Sequence, residues 1–297
     1  MAFSESDIPD QSGRTAVVTG ANSGIDWETA RALAAKGARV IVACRSEEKG
    51  REAERSIRTA APAADVRFEP LDLGSLASVR AFADKLGAAE SRLDLLVNNA
   101  GVMMPPYGKT ADGFELQLGT NHLGHFALTG LLLPRILAAP KARVVSVSSL
   151  AHFPGRIDFA DLQSERSYNP SRAYGQSKLA NLLFMRELQR RFESARAGAL
   201  AAAAHPGSTR TELQRHSGLL NAFVAVISQQ PPEGALPSLY AATAPDVRGG
   251  EYFGPSRWFG MLGAPGRARS SPASRDAAVA KQLWDVSEKL TGVRFAI

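Results

Sequence analysis

Residues Thr15–Asp26 read T-A-V-V-T-G-A-N-S-G-I-D, and this stretch decides the fold. The first five residues, small or β-branched, make a short strand of the buried type. Gly20 then permits a tight turn, and Gly24 opens the helix that follows. A glycine there lets a ligand approach the helix N-terminus, where unpaired amides and the helix dipole favour an anion. Strand, glycine turn and helix in that order form a seat for a dinucleotide pyrophosphate, with Gly20, Asn22, Ser23, Gly24 and Ile25 as its backbone.

Outward from that unit the chain keeps alternating strand with helix, which implies a parallel sheet covered on both faces. A helix over 24–36 stops at Gly37, and a strand follows at 38–43. Residues 46–60 read as a charged helix capped by Ser46. Strands at 66–71, 93–97, 143–147, 200–204 and 251–253 alternate with helices at 75–89, 112–137, 171–193 (capped by Ser171), 232–244 and 274–290. Residues 152–170 are a connection. The predicted architecture is α/β: a single doubly wound Rossmann-type domain over 1–297, with its motifs in a core of about 14–255. An apolar segment at about 212–230, including Leu213, Leu219, Phe223 and Ile227, is expected to cover a substrate site, flanked by Val102–Tyr107.

Composition narrows the class. Of 297 residues, 44% are hydrophobic and 22% charged, which fits an ordinary globular protein. No apolar run approaches the ~18 residues of a membrane span. The N-terminal dozen are polar and acidic, unlike a signal or transit peptide. The single cysteine, Cys44, excludes an internal disulfide, so a cytoplasmic location is expected. It ends an apolar run and reads as a small core residue. The net charge of +6 is spread without a dense basic tract, which argues against nucleic-acid binding.

Tyr174 and Lys178 stand four apart in A-Y-G-Q-S-K, one turn apart on one helix face. A cation beside a phenol favours the phenolate, drawing its pKa down from about 10, so the pair is a workable acid/base device. A surface tyrosine beside a solvated lysine has the same spacing.

The order of motifs along the chain favours the chemistry. T-G-A-N-S-G at Thr19–Gly24, N-N-A-G at Asn98–Gly101, T-N-H-L-G-H-F at Thr120–Phe126, V-S-S at Val147–Ser149, Y-G-Q-S-K at Tyr174–Lys178 and H-P-G at His205–Gly207 follow one another. Together they resemble the short-chain dehydrogenase/reductase family, in its retinol-dehydrogenase-like and WW-domain-oxidoreductase-like branch. The resemblance spans roughly residues 14–255, and that branch shares the long interval between Ser149 and Tyr174.

The resemblance implies an NAD(P)-dependent oxidoreductase that interconverts carbonyl and alcohol on a lipophilic small molecule. Tyr174 would be the general acid/base. Lys178 would lower its pKa and hold the nicotinamide ribose. Ser149 would hydrogen-bond the substrate oxygen, with Ser148 a structural neighbour. Asn121 would anchor a water relay through Lys178; a helix-bending Asn satisfied by backbone is the other reading. Asn98, Ala100 and Gly101 would line the adenosine side, Asn98 also able to brace the sheet. Asp72, with Leu73, would meet the adenine edge, or else cap the helix that starts at Ser75. Pro206, Gly207 and Thr211 would lie near the nicotinamide and pyrophosphate. Many relatives pair through the helices that here span 112–137 and 171–193, which implies a homodimer or homotetramer.

Two residues bear on the cofactor. An NAD enzyme usually carries an acid at the end of the second strand; here Cys44 and Arg45 stand there. A guanidinium suits a 2′-phosphate, so NADPH/NADP+ is expected over NAD. The family's third glycine is replaced by Asp26. A carboxylate about 6 Å from a pyrophosphate, at an effective dielectric of about 20–40, costs about 1.5–3 kcal/mol, or about 10- to 100-fold in affinity. Without cofactor the same carboxylate would cap the helix. Two functions follow: an oxidoreductase, on the proton-transfer set, or a dinucleotide-responsive binding or scaffold protein, on Asp26.

Overall fold

The computed structural model describes residues 2–209 and 228–297. Within them, β1 (Thr15–Thr19), β2 (Arg39–Cys44), β3 (Val66–Pro70), β4 (Leu95–Asn98), β5 (Arg143–Val147), β6 (Leu200–Ala204), β7 (Tyr252–Arg257) and β8 (Leu262–Arg267) form one sheet. Its order is β3-β2-β1-β4-β5-β6-β7-β8. All pairs are parallel except the last. The strand order reverses between β1 and β4, and a crevice at the carboxyl ends of those strands is where this architecture takes a ligand.

Side chains alternate along the central strands and sort the core into two layers. Val17 and Leu96 face one layer with Phe126, Leu132, Leu188 and Trp284. Ala16, Val18, Leu95 and Val97 face the other with Ala30, Leu33, Val40 and Leu239. The first layer is covered by α3 (Leu76–Ala89), α5 (Gly124–Leu137) and α6 (Pro170–Ser194), the second by α1 (Gly24–Ala35), α2 (Glu47–Ala60) and α7 (Pro231–Thr243). A last helix, α8 (Ala277–Thr291), and the tail beyond it join the first layer. Trp284 and Phe295 pack their rings 4.5 Å apart, and each meets Phe126. The region past residue 255 is thus part of the same core. Among the described residues no helix is long and apolar enough to cross a membrane.

Three local expectations are corrected. β7 is longer than expected and β8 is an additional, antiparallel edge strand. Its sequence L-G-A-P-G-R lacks the apolar alternation that marks a strand, as glycine and proline at a sheet edge do. The helix expected from 112 begins only at α4 (Leu116–Leu118), where the Glu115 side chain accepts from the backbone of Gln117 and Leu118. It reaches α5 through a π turn at Gly119–Leu123. Helix α6 is capped by Asn169, whose side chain accepts from Arg172 N at 2.9 Å, rather than by Ser171. Pro170 has no amide hydrogen to leave unpaired at the first helical position, and it holds the residue before it extended.

The start of α6 meets the loop after β5 through glycine backbones. A Cβ built on Gly155 would lie 2.5 Å from the carbonyl oxygen of Gly175, a rigid neighbour. Gly155→Val is therefore expected to cost about 1–3 kcal/mol by overpacking, read as a lower urea midpoint with an unchanged slope. An unaltered midpoint would show that the two backbones are free to separate.

Candidate active site

The β1–α1 turn opens on a cavity of about 580 Å³, within the range of small-molecule and cofactor sites. Gly20 and Gly24 hold the turn with φ of 76° and 60°, a left-handed backbone that strongly favours glycine. The Ser23 side chain makes no cap bond to α1. Gly20, Asn22, Ser23, Gly24 and Ile25 all line the cavity. Cys44 and Arg45 from the end of β2, Asp72 and Leu73 after β3, and Ala100 and Gly101 after β4 line it too. Arg45 is exposed. Cys44 is buried, and burial pushes its thiol up to about 11.

The rest of the wall was not singled out from the sequence. Lys109, Thr110, Ala111, Leu116 and Thr120 complete it, and Lys109 is tied to Glu165 at 2.7 Å. Reading a helix from 112 hid this loop. Thr120, directly before Asn121 in the T-N-H-L-G motif, was the available signal.

Tyr174, Lys178, Ser149 and Asn121 gather just beyond this wall, behind Gly101. A Cβ on Gly101 would stand 3.0 Å from Asn121 Oδ1 and 3.5 Å from Lys178 Nζ. Lys178 is buried; its ammonium lies 5.6 Å from the centre of the Tyr174 ring and donates to Val147 O at 3.2 Å. Burial lowers its pKa from 10.5 to about 8, with the charge of Asp26 acting in the opposite sense. Ser148 Oγ donates to Lys178 O at 2.8 Å, a bond within the scaffold.

The Tyr174 hydroxyl departs from the sequence expectation. Burial pushes it up to about 12, and the Ser149 side chain pulls the other way. Desolvation is the larger of the two effects. Tyr174 is half-buried.

Asn121 sits in the π turn, a distortion that recurs at functional sites. Its Oδ1 accepts from Val102 N at 2.8 Å, and its Nδ2 donates to Val102 O at 3.0 Å and Ser177 Oγ at 2.9 Å. Its own carbonyl is bonded to His125 Nδ1 at 3.0 Å. The side chain therefore pins the loop after β4 onto the helix.

The other named residues divide. Asn98 Nδ2 donates to Thr129 Oγ1 at 3.0 Å, so Asn98 braces β4 against α5, and it is not among the cavity-lining residues. Asp72 Oδ1 accepts from Gly74 N at 2.9 Å while the residue lines the cavity; Ser75 caps α3 with its own side chain. Pro206 and Gly207 follow β6 outside the cavity wall, Gly207 packed against Met261 and Pro255. Thr211 and the segment at 213–227 lie outside the described residues.

Asp26 does not cap α1. Its Oδ1 accepts from the Asn99 side-chain amide, and its Oδ2 occupies the space that a Cβ on Gly20 would need. The residue lines the cavity and is half-exposed there, but its carboxyl is packed deeply enough for desolvation to dominate. Burial raises it well above the ordinary 3.8, against the charge of Lys178 and the Asn99 bond. Its carboxyl is in electrostatic reach of Lys178.

A family model described as short chain dehydrogenase matches residues 14–219. The chain belongs to this family. As a short-chain dehydrogenase it is an NAD(P)-dependent oxidoreductase. Human retinol dehydrogenase 12 is 47% identical over 288 residues, covering 95% of this chain and 88% of that protein. Human retinol dehydrogenase 11 is 44% identical, covering 95% and 86%. A crystal structure of an uncharacterized protein from Mycobacterium paratuberculosis is 46% identical, with a TM-score of 0.85 and full coverage of both chains. A Pseudomonas aeruginosa RhlG/NADP active-site complex is 28% identical, with a TM-score of 0.64 over 81% of this chain and 94% of that one.

The buried lysine leaves a measurable trace. Between about pH 8 and 10.5 the folded chain holds fewer protons at Lys178 than the unfolded chain, so unfolding free energy rises with pH across that window. Urea titrations over this window should show that rise in the parent and a flatter profile in Lys178→Met. Parallel profiles would mean that the ammonium is solvated.

Proposed function

We propose that this short-chain dehydrogenase interconverts a carbonyl and an alcohol on a lipophilic small molecule, with NADP(H) as its preferred cofactor. The observation that carries this reading is the cluster of Ser149, Tyr174 and Lys178, in which Lys178 meets the glycine-turn cavity at Gly101. The lipophilic class is supported by the similarity to retinol dehydrogenases 11 and 12.

The residues present suit the cofactor in most respects. Gly20, Asn22, Ser23, Gly24 and Ile25 would hold its pyrophosphate at the start of α1. Arg45 would take a 2′-phosphate, with Asp72, Leu73, Ala100 and Gly101 along the adenosine and Lys178 at the nicotinamide ribose. Pro206, Gly207 and Thr211 are assigned near the nicotinamide by resemblance, and Asn98 supports the site from behind. When bound, the cofactor supplies or accepts a hydride.

Tyr174 moves the proton. With its hydroxyl pushed up to about 12, it is protonated at neutral pH and able to donate to a carbonyl oxygen; in the reverse direction the phenolate takes that proton from the alcohol. Ser149 steadies that oxygen by a hydrogen bond as charge develops. Lys178, positive below about pH 8, stabilises the phenolate left behind. Asn121 holds the Val102 loop in place beside Lys178 and is assigned the relay of a proton through a water. A second reading, a dinucleotide-responsive binding protein, is favoured by Asp26 alone. Fluorescence of NADPH titrated with the protein, followed by a screen of lipophilic aldehydes and ketones with NADPH oxidation as readout, separates the two.

Tyr174→Phe should lower turnover by about 10²- to 10⁴-fold while leaving circular dichroism and NADPH affinity close to the parent. Activity within tenfold of the parent would refute the acid/base assignment. Arg45→Ala should weaken NADPH binding by about 1.5–3 kcal/mol, the range of a charge-assisted contact, and leave NADH nearly untouched. Equal losses for both cofactors would refute the 2′-phosphate role.

A further inference from the structure

Asp26 is a cavity-lining ionisable group for which the proton-transfer scheme has no use. One oxygen accepts from the Asn99 side-chain amide, and the other lies against Gly20, in the space that a Cβ there would need. Asp26 shares the cavity wall with Gly20, Ser23 and Gly24, the backbone against which a pyrophosphate is seated in this fold. An ionised Asp26 facing that anion weakens binding by about 10- to 100-fold. A protonated Asp26 removes the repulsion and offers an O–H donor to a phosphate oxygen.

The charged and titratable groups around it come from several elements. Lys178 on α6 couples to Asp26 directly. Arg45 and Cys44 at the end of β2, Asp72 after β3 and Lys109 in the loop after β4 line the same cavity. His125 on α5 reaches the turn through Thr19 Oγ1 at 2.9 Å, but burial lowers it to about 4, so it is neutral at working pH. The cation that acts on Asp26 is itself buried and desolvated, and a pyrophosphate would compete for its charge.

From this geometry we propose that a dinucleotide enters the cleft together with one proton, taken from solvent and held on Asp26. The inference rests on the dinucleotide reading above and names the residue that tunes it. Burial already disfavours the carboxylate before any ligand arrives, and a second anion acts in the same direction. Affinity then falls as pH rises, with a limiting slope of about tenfold per pH unit for one linked proton. The glycine usual at this position has no such term.

Isothermal titration calorimetry of the full chain, with NADPH and with NADH, in buffers of different ionisation enthalpy between pH 6.5 and 9, counts the protons taken up. NADH carries no 2′-phosphate and so removes the ligand's own titration near neutrality. The expected result is uptake that grows toward one proton per dinucleotide with pH, and a dissociation constant that rises with it. Asp26→Asn keeps the size of the side chain and drops its charge. It should lose most of the uptake, flatten the pH dependence and bind about 10- to 100-fold more tightly at the alkaline end. Asp26→Gly should behave alike and stands in if the Asn variant does not fold. No uptake by the parent at any pH overturns the proposal. So does equal uptake by the Asn or Gly variant, which would place the proton on Lys178. If the folded parent and both variants bind neither dinucleotide, the dinucleotide reading itself fails, and this inference with it.

Discussion

One carbonyl oxygen, that of Val147, accepts from Lys178 Nζ at 3.2 Å and from Asn181 Nδ2 at 3.0 Å. It lies at the end of β5, and both donors come from α6. The bond answers two needs at once. It gives a buried ammonium an acceptor where water is scarce, without which the charge would be far more costly to bury. It also fixes the helix against the strand, so that Ser149, two residues past Val147, and Tyr174, one turn before Lys178, face the same space. Ser148 completes the clamp through the Lys178 carbonyl. The glycine turn and the cavity are positioned by the sheet, but the chemistry beside them is positioned by this clamp.

The parallel sheet and the family were legible in the sequence, because glycine turns and alternating apolar strands leave strong local signals. What the sequence hid follows a different logic. β8 carries little strand propensity and exists because β7 offers it an edge. The π turn at Gly119–Leu123 is spelled in ordinary helix-forming residues; only its contacts with Val102 and Ser177 make its role visible. Of the two readings open for Asn98, its amide bond to Thr129 supports the brace. The high pKa of Tyr174 was not legible either. Sequence spacing shows the lysine, while the desolvation depends on everything packed around the phenol.

Asp26 shows how a single position can satisfy one level of structure and oppose another. It fits locally, with an amide to bond and a gap beside Gly20 to fill. At the level of the site it puts an acid where the fold prepares a seat for an anion. Sequence reading found the conflict by the missing glycine. It misjudged the direction of the side chain, which points inward to Asn99 rather than back over the first turn of α1.

Cys44 has a consequence of another kind. It is the one cysteine of the chain and sits on the cavity wall, yet its thiol is buried and held protonated, with a weak bond from Sγ to Ser46 O at 3.4 Å. A thiol in that state is a poor nucleophile and a poor target for peroxide, since the thiolate is the reactive form. The one thiol on this wall is therefore no ready redox switch. A chain that trades in hydrides is insulated, at Cys44, from the oxidative state of its surroundings.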